Sequence, residues 1–169
     1  LSEIVGRGSA FAAQRDALAA GVGSRAGADA QIAELRATRG LNVGEGIATA
    51  NRLRGLGLGA DTGNVKALSQ IAAGTPGKSS SDVAEALADA ATGEFERLKE
   101  FNIKAKVEGD KVAATFKGVT TVIDKGGASW QKYLAQIAAS DFGDRLELKA
   151  NTLGGAVDKL QDGITQAAS

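Results

Sequence analysis

The chain has 169 residues and contains no cysteine, methionine or histidine, which removes thiol chemistry, an imidazole base and the soft metal ligands. Twenty basic and twenty acidic side chains cancel and are interspersed rather than blocked. No charged stripe is therefore available for a nucleic-acid backbone or a membrane surface, and sequence-specific nucleic-acid binding is not expected.

With Leu1 first and no Met anywhere, the chain reads as a piece of a longer polypeptide. Its apolar runs are a few residues long against the roughly 20 needed to span a bilayer, and no cleavable signal is visible, so it reads as soluble. Seven aromatic residues against 23 glycines is a poor ratio for one well-filled core. The length suits one or two small domains. A Gly-rich, loosely packed short-helix region over 1–81 is expected to precede a helix–hairpin–helix–helix segment over 82–169.

In chain order, helices are predicted near Ser9 to Ala20, Ala28 to Thr38, Gly44 to Arg54, Thr62 to Ala73 and Asp82 to Ala91, with a short one at Glu94 to Phe101. Between the early ones lie GRGS, GVGSRAGAD, GLNVGEG and RGLGLGADTGN. Each interior Gly costs about 1 kcal/mol of helix relative to Ala, so these stretches are read as breaks or close-packing sites. Gly74 with Pro76 is a stop signal, and Asp82 with Glu85 three residues on is read as a capping-box start.

Next comes IKAKVEGDKVAATF, whose two arms alternate apolar and polar residues in register. With Gly109-Asp110 as a two-residue turn, Val107 faces Val112, Ala105 faces Ala114 and Ile103 faces Phe116 on one side. Glu108 opposite Lys111 and Lys104 opposite Thr115 occupy the other. A lone hairpin is marginal in water, so the apolar face needs a helical cover. The fold class is thus mainly α, with short Gly-interrupted helices, one antiparallel β-hairpin over about 103–123, and a C-terminal heptad-patterned helix.

A helix from about Ala128 to Ser140 carries Trp130 and Tyr133 near Leu134 and Ile137. Core anchoring is the preferred role for these aromatics, with an interface hot spot as the alternative. The last helix, from about Gly143 to Ala168, places Leu146, Ala150, Leu153, Val157, Leu160, Ile164 and Ala167 at alternating spacings of four and three. That stripe seats against a helix of its own domain or of another copy. The expected interaction residues are therefore Ile103, Val107, Val112 and Phe116 packed under the helix carrying Trp130, together with Leu146, Leu153, Val157, Leu160 and Ile164.

One apparent enzyme motif is present. Residues 72–79, AAGTPGKS, fit a permissive phosphate-loop pattern, with Val122-Ile123-Asp124 as a notional metal-binding strand. The segment feeding the loop, NVKALSQIAA, has helical rather than β-branched character, and no strand–helix series is present to build a parallel sheet. Lys78 and Ser79 are read instead as solvated residues of a turn between helices. GLGLG near Leu56 has no preceding strand, and Asp89, Glu94, Glu96 and Glu100 lie on faces expected to be solvated. No catalytic, cofactor or metal site is expected.

Residues 82–165 resemble a segment of the tape measure proteins of long-tailed bacteriophages and prophages. The markers are Leu98-Lys99-Glu100-Phe101 followed by Ile103, the Gly109-Asp110-Lys111 turn, Phe116-Lys117-Gly118-Val119-Thr120-Thr121, and Leu153-Gly154-Gly155 with Leu160. The similarity covers about half of the chain. It is looser over 41–81, and Asn102 stands where the resembled segments often have Gly. The resemblance implies a structural virion protein that lies in the tail lumen or tip, takes part in tail assembly and length determination, and leaves ahead of DNA at ejection. It further implies self-association, with a homotrimer around the tail axis, and tail tube, distal tail and tail-tip or baseplate hub proteins as partners. Two rivals stay open: a membrane-active module making transient contact with the host membrane, and a nucleotide-binding fragment using the 72–79 loop.

Overall fold

The computed structural model describes residues 2–148, with side chains from residue 12 onward. Five helices come first: α1 Ser2–Val22, α2 Arg25–Ala37, α3 Val43–Gly55, α4 Thr62–Ala73 and α5 Ser80–Ala91. A 3₁₀ turn, Arg97–Phe101, leads into β1 Ile103–Glu108, β2 Lys111–Phe116 and β3 Val119–Asp124, and α6 Gly127–Asp141 follows. The chain is mainly helical with one small antiparallel sheet.

Side-chain caps set most helix starts. Ser24, Asn42, Asp61 and Ser79 each accept a hydrogen bond from a backbone N–H in the first turn of α2, α3, α4 and α5. These satisfy donors that have no partner within the helix. The capping box of α5 is Ser79 with Asp82, one turn earlier than the expected Asp82 with Glu85. Ser79 has the extended backbone that a cap needs, and this leaves Asp82 as the third helical residue. The expected break at GRGS is absent, because those residues lie within α1. Gly74 does end α4, its N–H bonding back to the carbonyls of Gln70 and Ile71.

The sheet departs from a simple hairpin. The β1–β2 register pairs Ile103 with Phe116, Ala105 with Ala114, Val107 with Val112 and Glu108 with Lys111, as alternation predicts. The remainder of the 103–123 span adds a third strand in the order β1-β2-β3. Lys117 and Gly118 both have positive φ, 50° and 78°, the sign pattern of a type I′ turn, and the β-branched run from Val119 follows directly. Asn102 ends the 3₁₀ turn at φ 62°, a conformation that Gly and Asn adopt at least cost.

One core runs through the molecule. Leu18, Leu35, Ile47 and Leu53 of α1–α3 join Val83 and Leu87 of α5, Ile103 and Phe116 of the sheet, and Trp130 and Leu134 of α6 in a single apolar cluster. Burial of each such side chain contributes about 1.5–3 kcal/mol. The Gly-rich region over 1–81 and the segment over 82–148 share that core, with α4 and α3 packed against α5, and α4 against α6. Below the sheet, the 3₁₀ turn lies against β1 and α6 against β3. No described helix is long and apolar enough to cross a membrane.

Candidate functional site

The 72–79 loop joins helix to helix. Residues 72 and 73 close α4, Pro76 and Gly77 turn the chain, and α5 starts at Ser80. A helix N-terminus does follow the Lys-Ser pair, but protein groups fill it. Asp82 accepts from the Ser79 N–H at 2.8 Å, and Glu45 of α3 accepts from the Ser80 N–H and hydroxyl at 3.2 and 3.0 Å. The Thr49 hydroxyl lies 2.7 Å from that of Ser80, completing a buried polar knot between α3 and α5. The backbone N–H of Ser79 holds the Asp82 carboxyl below the usual carboxylate range.

Lys78 is not simply solvated, because its Nζ pairs with Glu100 at 2.9 Å. Val122-Ile123-Asp124 lies in the edge strand of an antiparallel sheet, and Asp124 binds Lys111 of the neighbouring strand. That contact lowers the pKa of Asp124 and raises that of Lys111. The loop therefore does the structural work of a connector, and two carboxylates hold the donors a phosphate would use.

The expected interaction residues separate into three groups. Ile103, Val112, Phe116 and Trp130 are buried in the chain's own core, as is Leu146 in the helical turn over 145–148. The Trp130 ring lies 5.8 Å from that of Phe95, tilted by 42°, and meets the Tyr133 ring edge-on at 5.6 Å, and Phe116 lies 5.9 Å from Phe142, just past α6. Burial also pushes the Tyr133 phenol above its usual pKa. Val107 departs from the expected packing, being 52 % exposed. It lies near the turn end of edge strand β1, whose cover is the 3₁₀ turn, whereas α6 reaches β3. Leu153, Val157, Leu160 and Ile164 lie outside the described residues.

Open surfaces among the described residues include two beside the sheet. A groove of about 700 Å³ is lined by Lys99, Lys104, Lys117 and Arg145 over Phe116 and Phe142. Its cations have local work: α4, the 3₁₀ turn and α6 all end beside it, at Gly74, Asn102 and Phe142, and their carbonyl ends carry partial negative charge. Lys99 also pairs with Glu96 at 3.1 Å, and Lys117 with Asp141 at 3.5 Å.

The second surface is β3, which exposes Val119 and Val122 and borders a smaller groove against α6. Its sequence signal is the β-branched run VTTVI, which lies within the 103–123 span expected as one hairpin. Among the described residues no group of three or more acidic, histidine or cysteine side chains is placed to hold a metal ion.

Compared with protein-family models, with characterised proteins and with solved structures, the chain has no match in any of the three.

Proposed function

We propose that this chain is a segment of a bacteriophage or prophage tail tape measure protein, working as a folded station that docks to tail-tip or tube proteins. In that role it is a structural virion protein of the tail lumen or tip, present as several copies about the axis, with three expected. It takes part in assembly and length determination and leaves ahead of DNA at ejection.

The observation carrying this proposal is the order of the resembling markers along the chain. The markers within the described residues fall on consecutive pieces of one substructure. Leu98 to Phe101 form the 3₁₀ turn, Ile103 opens β1, Gly109-Asp110 turns into β2, and Lys117-Gly118 turns into β3. Structural rather than chemical work is also supported by the 72–79 loop, whose nearby donors serve Asp82 and Glu45. The short helices here do not form a ruler's rod, so subunit counting is assigned to other parts of such a protein.

Quantitative mass spectrometry of purified particles, before and after receptor-triggered DNA release, tests the proposal. Peptides of this chain are expected in full particles at a few copies and to be depleted after release. Their absence from particles in which other minor tail proteins are detected would overturn it. Nucleotide binding makes a separate prediction: a melting-temperature shift with millimolar nucleotide and magnesium that Lys78→Ala removes.

A further inference from the structure

The two edges of the sheet are built differently. Each edge strand has one element packed on it, the 3₁₀ turn on β1 and α6 on β3, but β1 also carries Lys104, Lys106 and Glu108 on its outer face, charges that discourage further strand pairing. β3, Val119–Asp124, has no lysine or proline within it, and Val119 and Val122 are 66 % and 59 % exposed. Beside it, between the strand and α6, runs an open groove of about 370 Å³ lined by Ile123, Ser129, Lys132, Tyr133 and Gln136. Ile123 is only half-buried.

The register fixes which backbone groups of β3 point outward. Lys117-Gly118 is a two-residue turn closing on Phe116 and Val119, so that pair shares hydrogen bonds, and alternation extends bonding to Thr121 and Ile123. The N–H and C=O groups of Thr120, Val122 and Asp124 consequently face away from β2.

We propose that β3 pairs antiparallel with β3 of a second copy about a two-fold axis through Val122, joining two sheets into one of six strands. This register uses all three outward-facing residues of each strand. Val122 meets Val122 of the other copy, covering the exposed valine, and Thr120 meets Asp124 in two symmetric pairs. No like charges stand opposite within the paired strands, and β-branched residues dominate the contact. On the α6 side, Thr121 meets Ile123 of the other copy, so each Ile123 gains cover above the groove.

The pairing does not rest on the tape measure proposal and concerns the isolated chain: a two-fold contact joins copies in pairs, not three about one axis. It is a small contact, below the size of a stable obligate interface, so self-association is expected at about 10–100 µM.

Sedimentation velocity of the 169-residue chain across that range tests it. Wild type is expected to pass from monomer to dimer. Val122→Lys and Val122→Glu are each expected to remain monomeric, weakening association at least about tenfold. An equimolar mixture of the two is expected to regain the dimer, because the axis places position 122 against itself. Val107→Lys, at the opposite edge, should dimerise as wild type does. Thermal melting of every variant confirms that it is folded. A wild type that stays monomeric, a dimer or trimer indifferent to Val122→Lys, or a charge-swapped mixture that fails to associate would overturn the pairing.

Discussion

At the residue scale, Phe116 and Lys104 lie on opposite faces of the sheet. Phe116 is buried against Phe142, so Phe116→Asp places a charge in the core and is expected to cost about 3 kcal/mol or more. Lys104→Asp on the solvent face should change stability by about 0.5 kcal/mol or less. Equal shifts in thermal midpoint would contradict the facing assignment. Trp130 offers a finer comparison, because its indole N–H is buried with no hydrogen-bond partner among the described residues. Trp130→Ala should cost about 3–5 kcal/mol by cavity formation. Trp130→Phe removes the unsatisfied donor along with some volume, and its cost should be about 2 kcal/mol or less in denaturant titration.

At the element scale, caps and close contacts decide where helices start and how they meet. Ser79→Ala removes the side-chain half of the α5 capping box and should cost about 1 kcal/mol. The carboxyl of Asp82 titrates below its usual value because it accepts from the Ser79 N–H. Its stabilising contribution is therefore complete above the pKa of the unfolded chain, near ~3.9, and fades as pH falls through the lower folded value. In thermal melts, Asp82→Asn should be less stable than wild type at pH 7, and the difference should shrink as pH falls below the unfolded carboxylate range of about 4. A gap constant with pH would contradict the assignment.

Gly74 marks a close approach, since a Cβ there would enter the space of the Phe142 ring. Gly74→Ala should displace that ring from Phe116 and cost about 1–3 kcal/mol by thermal or chemical unfolding. Leu146 is fixed in a related way: a Cβ on Gly40 would collide with its carbonyl, which presses the turn over 145–148 against the α2–α3 connection.

Legibility also differed by element. The β1–β2 register was readable because period-two alternation on both arms met a Gly-Asp turn, and a one-residue slip would have reversed every side chain. The third strand was hidden because Lys117-Gly118 is a weak turn signal beside Asn-Gly or Asp-Gly. Helix starts were read late at Ala28, Gly44 and Asp82, although Ser24, Asn42 and Ser79 were present as caps. At Ala28 and Gly44 apolar periodicity outweighs the cap, whereas at Asp82 the sequence offers two overlapping capping boxes, Asp82 with Glu85 and Ser79 with Asp82, and the earlier one forms. The exposure of Val107 was not readable, because it depends on how far α6 reaches across the sheet.

At the scale of the whole molecule, alanines and glycines let short helices approach closely enough to share one core despite seven aromatic residues. Because α3, α4, α5 and α6 bury one another across residue 81, Trp130 fluorescence and far-UV circular dichroism should report coincident unfolding over the described region. Separated transitions would divide the molecule into two units. For the proposed function, the broad features are a helix–sheet body with one shared core and an unpaired strand edge at β3. The proposed place in a phage tail is tested most directly by cryo-electron microscopy of tails or particles purified from the source of the sequence. The proposed role predicts density matching the 3₁₀ turn, the three-stranded sheet and α6, repeated about the axis inside the lumen or tip. A lumen and tip fully accounted for by other proteins would contradict it.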